Sequence, residues 1–380
     1  MNFDNTYPST IIHVIGNLDR RIGGPRESLI ALIREVGKAT EIRHLVLCQF
    51  DNDAEQRQFE YDLGLPVFGV RSDDPRPLLR YWSVLARVRK QNPNLNIHVH
   101  GIFKFYPLIT TIFARIHKIR CVLSPRGMTM RLSGNNIRTL VKRMAVMCLD
   151  MINGKYGVIH TTSEYEFEVC SIQFRRSTLI KKSSVNLDVT SDQAEEYLPR
   201  NRLFITYIGR ISSSKGVDVL IRSWLKIDEK VKAKFTLVLV GPLDAKFVFS
   251  KQHLRRLEPE GICYKGPIYE KERKVQLLNK TRYFVNPSVS ENFGHSIFEA
   301  LSLGVPVIVS EQTPWGEVAK TGAGMVFKPD NVDLSTLLVR CMGMSDSELR
   351  RSADASKKLI ARYILTNKND YSELYKLESI

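Results

Sequence analysis

The chain has 380 residues, 43% hydrophobic, 9% aromatic and 25% charged, with 56 Lys and Arg against 40 Asp and Glu. Those proportions exclude a disordered or fibrous chain and predict two domains, and the positive excess points to an anionic partner: nucleic acid, a membrane surface or a phosphorylated substrate. Six cysteines (Cys48, Cys121, Cys148, Cys170, Cys263 and Cys341) stand at least 22 residues apart, which excludes CxxC redox and zinc sites and reads as reduced core thiols. MNFDNTYPST has no basic leader region and no apolar run reaches about 18 residues, so the expected location is cytoplasmic.

Charge is uneven. Residues 1–187 hold 27 Lys and Arg against 16 Asp and Glu, and nothing acidic lies between Asp74 and Asp150. Aromatics (Tyr81, Trp82, Phe103, Phe105, Tyr106) interleave with the cations of that window. Such a surface suits an anionic leaflet or a nucleic acid, and composition leaves both open beside a merely solvated face.

Strand and helix signals alternate from the start. IIHVIG (11–16) reads as a strand, then Gly23-Gly24-Pro25 and a helix with Leu29, Leu32, Ile33 and Val36 on one face. Strands follow at 44–50, 96–101, 119–124 and 157–162. Helical spacing appears at Leu78, Trp82, Leu85 and Val88, and again at Ile137, Leu140, Val141, Met144, Cys148 and Met151. Ser163-x-x-Glu166 has the form of a capping box. The polar stretch 181–201 is the expected linker. Alternation then restarts with strands at 203–209, 235–241, near 262–264, 283–288 and 305–310, and the last 35 residues read as helix. The expected division is 1–185, a linker 186–200, a second domain 201–362 and a C-terminal helix 363–380 packing back on the first. Two alternating halves predict two parallel-sheet α/β domains facing one another across a cleft.

Ligands of open α/β sheets lie beyond the carboxyl ends of the strands, and four unusual loops fall there. Gly23 and Gly24 precede a helix, where amides meet phosphates, although a plain turn has the same sequence. Gly209-Arg210 and Lys215-Gly216 set two cations in a Ser-rich loop suited to a diphosphate. Glu291-Asn-Phe-Gly-His-Ser-Ile-Phe-Glu299 places one carboxylate after a strand and another inside a helix, with Phe293, Gly294, His295 and Ser296 at the helix start. Asp51-Asn52-Asp53 has the form of a cation site but also of an ordinary loop. His98 and His100 point to one side of a strand, and His100 ends it. No GxGxxG and no hydrolase spacing is legible.

Together these segments resemble the retaining glycosyltransferases of family four, which have the GT-B fold. ENFGHSIFEALSLGVPVIVS (291–310) is similar to the family's Glu-x7-Glu segment, and YIGRISSSKGVDVLIRSW (207–224), LVLVGP (237–242), YKGPIYEKE (264–272) and TPWGEV (313–318) resemble its other signposts. IGGPRESL (22–29), HVHGIF (98–103) and SPRGM (124–128) resemble its acceptor-domain loops. The resemblance implies a nucleotide-sugar donor with Arg210 and Lys215 on its diphosphate and Glu299 on its ribose. It implies Glu291 and the Phe293–Ser296 turn on the sugar and phosphate, and Gly23, Gly24 and Gly209 close by. It also implies retention of anomeric configuration with no metal and no cofactor. Two departures stand out: Arg126-Gly127 replaces the usual His-Gly, and SSVNLD (183–188) replaces a Pro-Asn-Gly-Val-Asp type segment. The candidate catalytic set is thus Glu291, Arg210, Lys215, His100 and Arg126. Expected partners are the donor, a glycan or lipid-linked acceptor of surface polysaccharide or O-antigen assembly, and an anionic membrane inner face. A nucleic-acid binder, which lacks any reading module here, and a non-catalytic nucleotide-sugar binder are the competing readings.

Overall fold

The structure, a computed structural model, describes residues 9–19, 24–39, 42–130, 132, 136–154, 157–182, 203–328, 333–366 and 371–375. Gly23, the segment 183–188 and the expected linker 186–200 lie outside the described residues. The chain divides into two compact units, residues 1–186 with 369–380 and residues 187–368.

The first unit is a sheet of seven strands: β1 (Ser9–Ile15), β2 (Ile42–Phe50), β3 (Val67–Arg71), β4 (Leu95–His100), β5 (Cys121–Ser124), β6 (Val158–Thr161) and β7 (Thr178–Lys181). All pairs are parallel in the order β3-β2-β1-β4-β5-β6-β7. Parallel neighbours need crossovers, which explains the alternation of the sequence. The order reverses between β1 and β4, so the crevice lies where His100 and Gly101 end β4.

Alternation along the strands sorts this core into two faces. Ile12, Val14, Leu47, Val99 and Leu123 pack with Tyr81, Phe113, Val146 and Leu149 of the helices Pro77–Gln91, Phe105–Ile116 and Ile137–Asn153. On the other face Ile11, Ile42, Val122 and Val158 meet Leu32 and Val36 of the helix Gly24–Ala39, and also Tyr371, Leu374 and Tyr375. The chain's last described segment, the short helix Ser372–Tyr375, therefore completes the first unit's core. Arg120 holds it by donating to the carbonyls of Leu374 (2.6 Å) and Glu373 (2.9 Å).

Three sequence readings take on a different meaning here. The Ile137–Met151 stripe does not face the core: Thr139, Val146, Leu149, Asp150 and Asn153 do, and Ile137, Leu140, Val141, Met144 and Met151 are exposed. Asp51-Asn52-Asp53 is a helix start, where the Asn52 side chain accepts from the amides of Ala54 and Glu55 and caps the helix Asp53–Leu63. Ser163 does cap the helix Glu164–Gln173, accepting from the Glu166 amide at 3.2 Å, but the Glu166 carboxylate turns to Thr162 and Gly127.

The second unit holds six parallel strands: β8 (Phe204–Ile208), β9 (Thr236–Val240), β10 (Ile262–Gly266), β11 (Thr281–Asn286), β12 (Val307–Ser310) and β13 (Gly324–Phe327). Their order is β10-β9-β8-β11-β12-β13, with the reversal between β8 and β11. Its largest core cluster joins Tyr207, Leu220, Trp224, Leu239, Val285 and Leu338, all at most 1% exposed. The helix Asp346–Thr366 closes this unit.

The loops after β8 and β9 touch backbone to backbone. Gly241 has φ 141°, and a Cβ there would lie 1.8 Å from the Gly209 carbonyl oxygen. Neither strain nor clash can be relieved by a side-chain rotation, so Gly241→Ala is expected to destabilise the second unit by roughly 2–4 kcal/mol. A denaturation midpoint equal to that of the unmodified chain would contradict this packing.

Candidate active site

In the second unit, strand ends on both sides of the reversal supply the side chains. After β8 come Gly209 and Arg210, a 3-10 turn Ser213–Lys215, Gly216 and the helix Val217–Leu225. Buried Tyr207 fixes the start of this loop, its hydroxyl donating to the Arg210 carbonyl at 2.9 Å, and a Cβ on Gly209 would lie 2.6 Å from that hydroxyl. Gly216 has φ 68°, and a Cβ there would lie 2.1 Å from the Pro287 carbonyl oxygen. Glycine is what lets the β8 loop lie against the β11 loop.

That approach brings Lys215 to Glu291. The Lys215 Nζ donates to Glu291 Oε2 at 2.6 Å, with the side chains 28% and 18% exposed. Ser288 donates to the same oxygen at 3.1 Å, and its own amide donates to Asn286 Oδ1. Arg210 is exposed and makes no ion pair with a described residue. A half-open Lys–Glu pair beside a solvated guanidinium is a place where an incoming anion can exchange for the carboxylate.

The segment after Glu291 is rigid at its aromatic side. Gly294 (φ 81°) precedes the helix His295–Ser302, and the Trp315 indole N–H donates to the Phe293 carbonyl at 2.5 Å. Phe293, Phe298, Trp315 and Tyr363 form one ring cluster, with His295 tilted at 59° to Phe293 and 5.0 Å between centroids. His295 and Ser296 are half-buried at the helix start. Glu299 on this helix meets Lys274 of the helix Lys271–Asn279 at 3.3 Å. Arg210, Lys215, Glu291 and the Phe293–Glu299 segment thus sit on one end of the second sheet.

In the first unit, Gly24 begins the helix Gly24–Ala39. His100 and Arg126 come together: a guanidinium N–H of Arg126 donates to His100 Nδ1 at 3.0 Å. Arg126 has φ 56°, a left-handed conformation uncommon for a side-chain-bearing residue. The next residue, Gly127, is also left-handed, and its amide donates to the buried Glu166 carboxylate. Glu166 accepts further bonds from the Thr162 amide (2.8 Å) and hydroxyl (3.1 Å).

His100 is one end of a buried imidazole row. Arginine is a donor only, so His100 Nδ1 accepts and its proton sits on Nε2. That proton goes to His13 Nδ1 (3.2 Å), and His13 Nε2 donates to His44 Nδ1 (3.0 Å). The row ends on the Nε2–H of His44, buried and without a partner among the described residues. A second row has a forced direction too, because the Lys182 carbonyl only accepts. Tyr375 donates to His98 Nδ1 (2.7 Å), His98 Nε2 to Ser124 (2.7 Å), Ser124 to His160 Nδ1 (2.8 Å), and His160 Nε2 to Lys182 O (2.7 Å).

His13, His98 and His100 bring ring nitrogens within 4.8 Å of one another, a spacing compatible with a metal. Every lone pair of the three is already committed to a donor, and Arg126 sets a positive charge beside His100, so the donor set does not fit a dication.

Sequence reasoning missed His13, Ser288, Lys274 and Glu166 as members of these sites. His13 and Ser288 carry a signal in retrospect, one inside a strand beside the reversal and one at a strand end. Lys274 carries none, since its partner is 25 residues away, and the capping-box spacing that singles out Glu166 gives no sign of its bond to Gly127, 39 residues away.

Residues 188–358 match the family described as glycosyl transferases group 1. Over 370 residues, covering 93% of this chain and 92% of the relative, the chain is 24% identical to a GDP-mannose:cellobiosyl-diphosphopolyprenol alpha-mannosyltransferase of Xanthomonas oryzae. Over 131 residues, 34% of each chain, it is 32% identical to O-antigen chain mannosyltransferase B of Escherichia coli. The crystal structure of Anabaena HepE in complex with UDP and glucose superposes with a TM-score of 0.73 at 13% identity, covering 97% of this chain and 100% of that one. The fold is GT-B, and the chain is related to sugar transferases of bacterial polysaccharide assembly.

Burial holds His13, His98 and His100 well below the ordinary histidine range, His44 at about 4 and His160 at about 3. A base whose folded pKa is depressed binds fewer protons folded than unfolded, so its stability contribution is complete above about 6.5 and is lost as pH falls below it. One pH unit below that value, each histidine costs roughly 1.4 kcal/mol. Thermal unfolding followed between neutral and mildly acidic pH is expected to show a steep fall in the first unit's midpoint. A flat profile would contradict neutral buried histidines.

Proposed function

We propose that the chain is a retaining, metal-independent glycosyltransferase that moves a hexose from a nucleoside-diphosphate sugar to a glycan or polyprenyl-diphosphate-linked glycan in surface polysaccharide assembly. The observation that carries this reading is the Lys215–Glu291 pair at the reversal of the second sheet, with Arg210 open beside it. The donor's diphosphate takes Lys215 and Arg210, and Glu291, released from its lysine, accepts hydroxyls of the donor sugar. Glu299, with Lys274 at its side, takes the ribose hydroxyls. The relatives' names, one citing GDP-mannose and a diphosphopolyprenol acceptor and the other a mannosyl transfer, support mannose as the first sugar to test.

In the reaction the acceptor hydroxyl oxygen bonds to the anomeric carbon as the bond from that carbon to the diphosphate breaks. Negative charge grows on the leaving oxygens, and Lys215 and Arg210 stabilise it, the kind of preorganised electrostatic term that dominates catalysis. The leaving phosphate accepts the acceptor's proton on the same face of the sugar. This route needs no carboxylate nucleophile and no histidine where Arg126 stands. Within the first unit, Arg126 is held by His100 and by the Glu166 brace on Gly127. A non-catalytic binder is the weaker reading, because the phosphate cations and both carboxylates are all present.

Nucleotide release measured over a panel of donors and lipid-linked acceptors tests the reading, with GDP-mannose expected to turn over. Arg210→Ala or Lys215→Ala loses a charge-assisted contact of about 1.5–3 kcal/mol, a fall in kcat/KM of roughly 10- to 150-fold. Glu299→Gln is expected to weaken nucleotide binding more than Glu291→Gln, and EDTA to leave turnover intact. Unmodified turnover in both cation variants, or EDTA loss restored by Mn²⁺, would overturn the assignment.

A further inference from the structure

A move of Lys215 from Glu291 to a diphosphate takes the carboxylate's cation away, and a second donor stands behind it. Ser288 lies two residues past β11 and is fully buried. Its hydroxyl donates to Glu291 Oε2 at 3.1 Å, the same oxygen that takes Lys215 Nζ at 2.6 Å. Among the described residues these two are the carboxylate's donors. They differ in kind. Lys215 is a cation on a long stem, its side chain 28% exposed, and it follows negative charge. The serine hydroxyl is neutral, sits on a short stem and is pinned through its backbone. The Ser288 amide donates to Oδ1 of Asn286, itself 3% exposed, at 3.1 Å. The carbonyl of Pro287, between them, lies where a Cβ on Gly216 would stand. The backbone that carries Ser288 is therefore fixed from both sides.

We propose that Ser288 is the positioning residue for Glu291, holding the carboxylate on the donor sugar once Lys215 has gone to the diphosphate; this rests on the glycosyl-transfer reading above. The serine occupies Oε2 and leaves Oε1 for hydroxyls of the sugar. With nucleotide alone, water answers the half-open carboxylate. With the sugar in place that water is displaced, and the Ser288 hydroxyl is the donor that stays. Being neutral, it holds the carboxylate without competing with Lys215 and Arg210 for the phosphates. Packing alone does not call for this hydroxyl, because alanine fills a buried strand end without burying a polar group.

The test compares kcat, with the donor that turns over (GDP-mannose is expected), against the affinity for GDP measured by calorimetric titration. In Ser288→Ala, kcat is expected to fall about tenfold, the loss of one hydrogen bond to a charged group. GDP affinity stays within about twofold, because Arg210, Lys215 and Glu299 are intact and water still reaches Glu291. Ser288→Cys keeps the volume but has only a weak donor, and it falls with the alanine variant. In a Glu291→Ala background, followed by single turnover, Ser288→Ala costs less than about twofold more, because no carboxylate is left to hold. Unchanged kcat in Ser288→Ala overturns the proposal. So does unmodified kcat in Ser288→Cys, which would make the role one of packing. So do losses that multiply in the double variant, or a GDP affinity that falls in step with kcat. Any of these in a chain whose unmodified form turns over removes the role of Ser288 and leaves the glycosyl-transfer reading standing. An unmodified chain that turns over no donor removes both.

Discussion

Two backbone contacts in the second unit hold its site in place. Gly216 lies against the Pro287 carbonyl and Gly241 against the Gly209 carbonyl, each closer than any Cβ allows. These contacts join the loops after β8, β9 and β11 around the point where the sheet reverses. The Lys215–Glu291 pair follows directly, because Lys215 is the residue before one glycine and Glu291 lies four residues past Pro287. Parallel pairing supplies the strand ends, and glycine supplies the separation at which a cation and a carboxylate from different loops share one hydrogen bond.

The first unit solves a different problem. Its sheet buries six polar side chains on one face, His13, His44, His98, His100, Ser124 and His160, each at most 5% exposed. Burial is tolerable because the groups are neutral and arranged head to tail, with direction set by Arg126 at one end and the Lys182 carbonyl at the other. The C-terminal segment is part of this arrangement, since Tyr375 starts the second row. Arg126 depends on it as well. A buried guanidinium in a left-handed backbone is held by His100 from below and by the Glu166 brace on the next residue.

Much of this was legible in the sequence where side-chain period or loop composition carries it. The central strands read as apolar runs, and Gly209-Arg210, Lys215-Gly216 and the Glu291–Glu299 spacing marked the second unit's site. The strands β3, β7 and β13 were not read: all three lie at sheet margins, two have only four residues, and β3 and β13 contain glycine. The helix Asp53–Leu63 has one buried residue, Phe59, so no apolar period exists to be seen. The Ile137–Met151 stripe marked its helix but not the helix's orientation. Period reveals that a face is apolar and not which way it turns, and here Val146, Leu149 and the polar Thr139, Asp150 and Asn153 are the inward side. Pairs such as Lys274 with Glu299 depend on helix packing between distant segments, which no local pattern encodes.

The account turns on an exchange of partners at Lys215, and a crystal structure of the chain with GDP-mannose or its non-transferable analogue bound tests it most directly. The expected result is Lys215 Nζ and Arg210 on diphosphate oxygens, with Glu291 turned to the hydroxyls of the sugar. A nucleotide sugar bound while the Lys215–Glu291 bond stays intact, with Arg210 still in solvent, would contradict it.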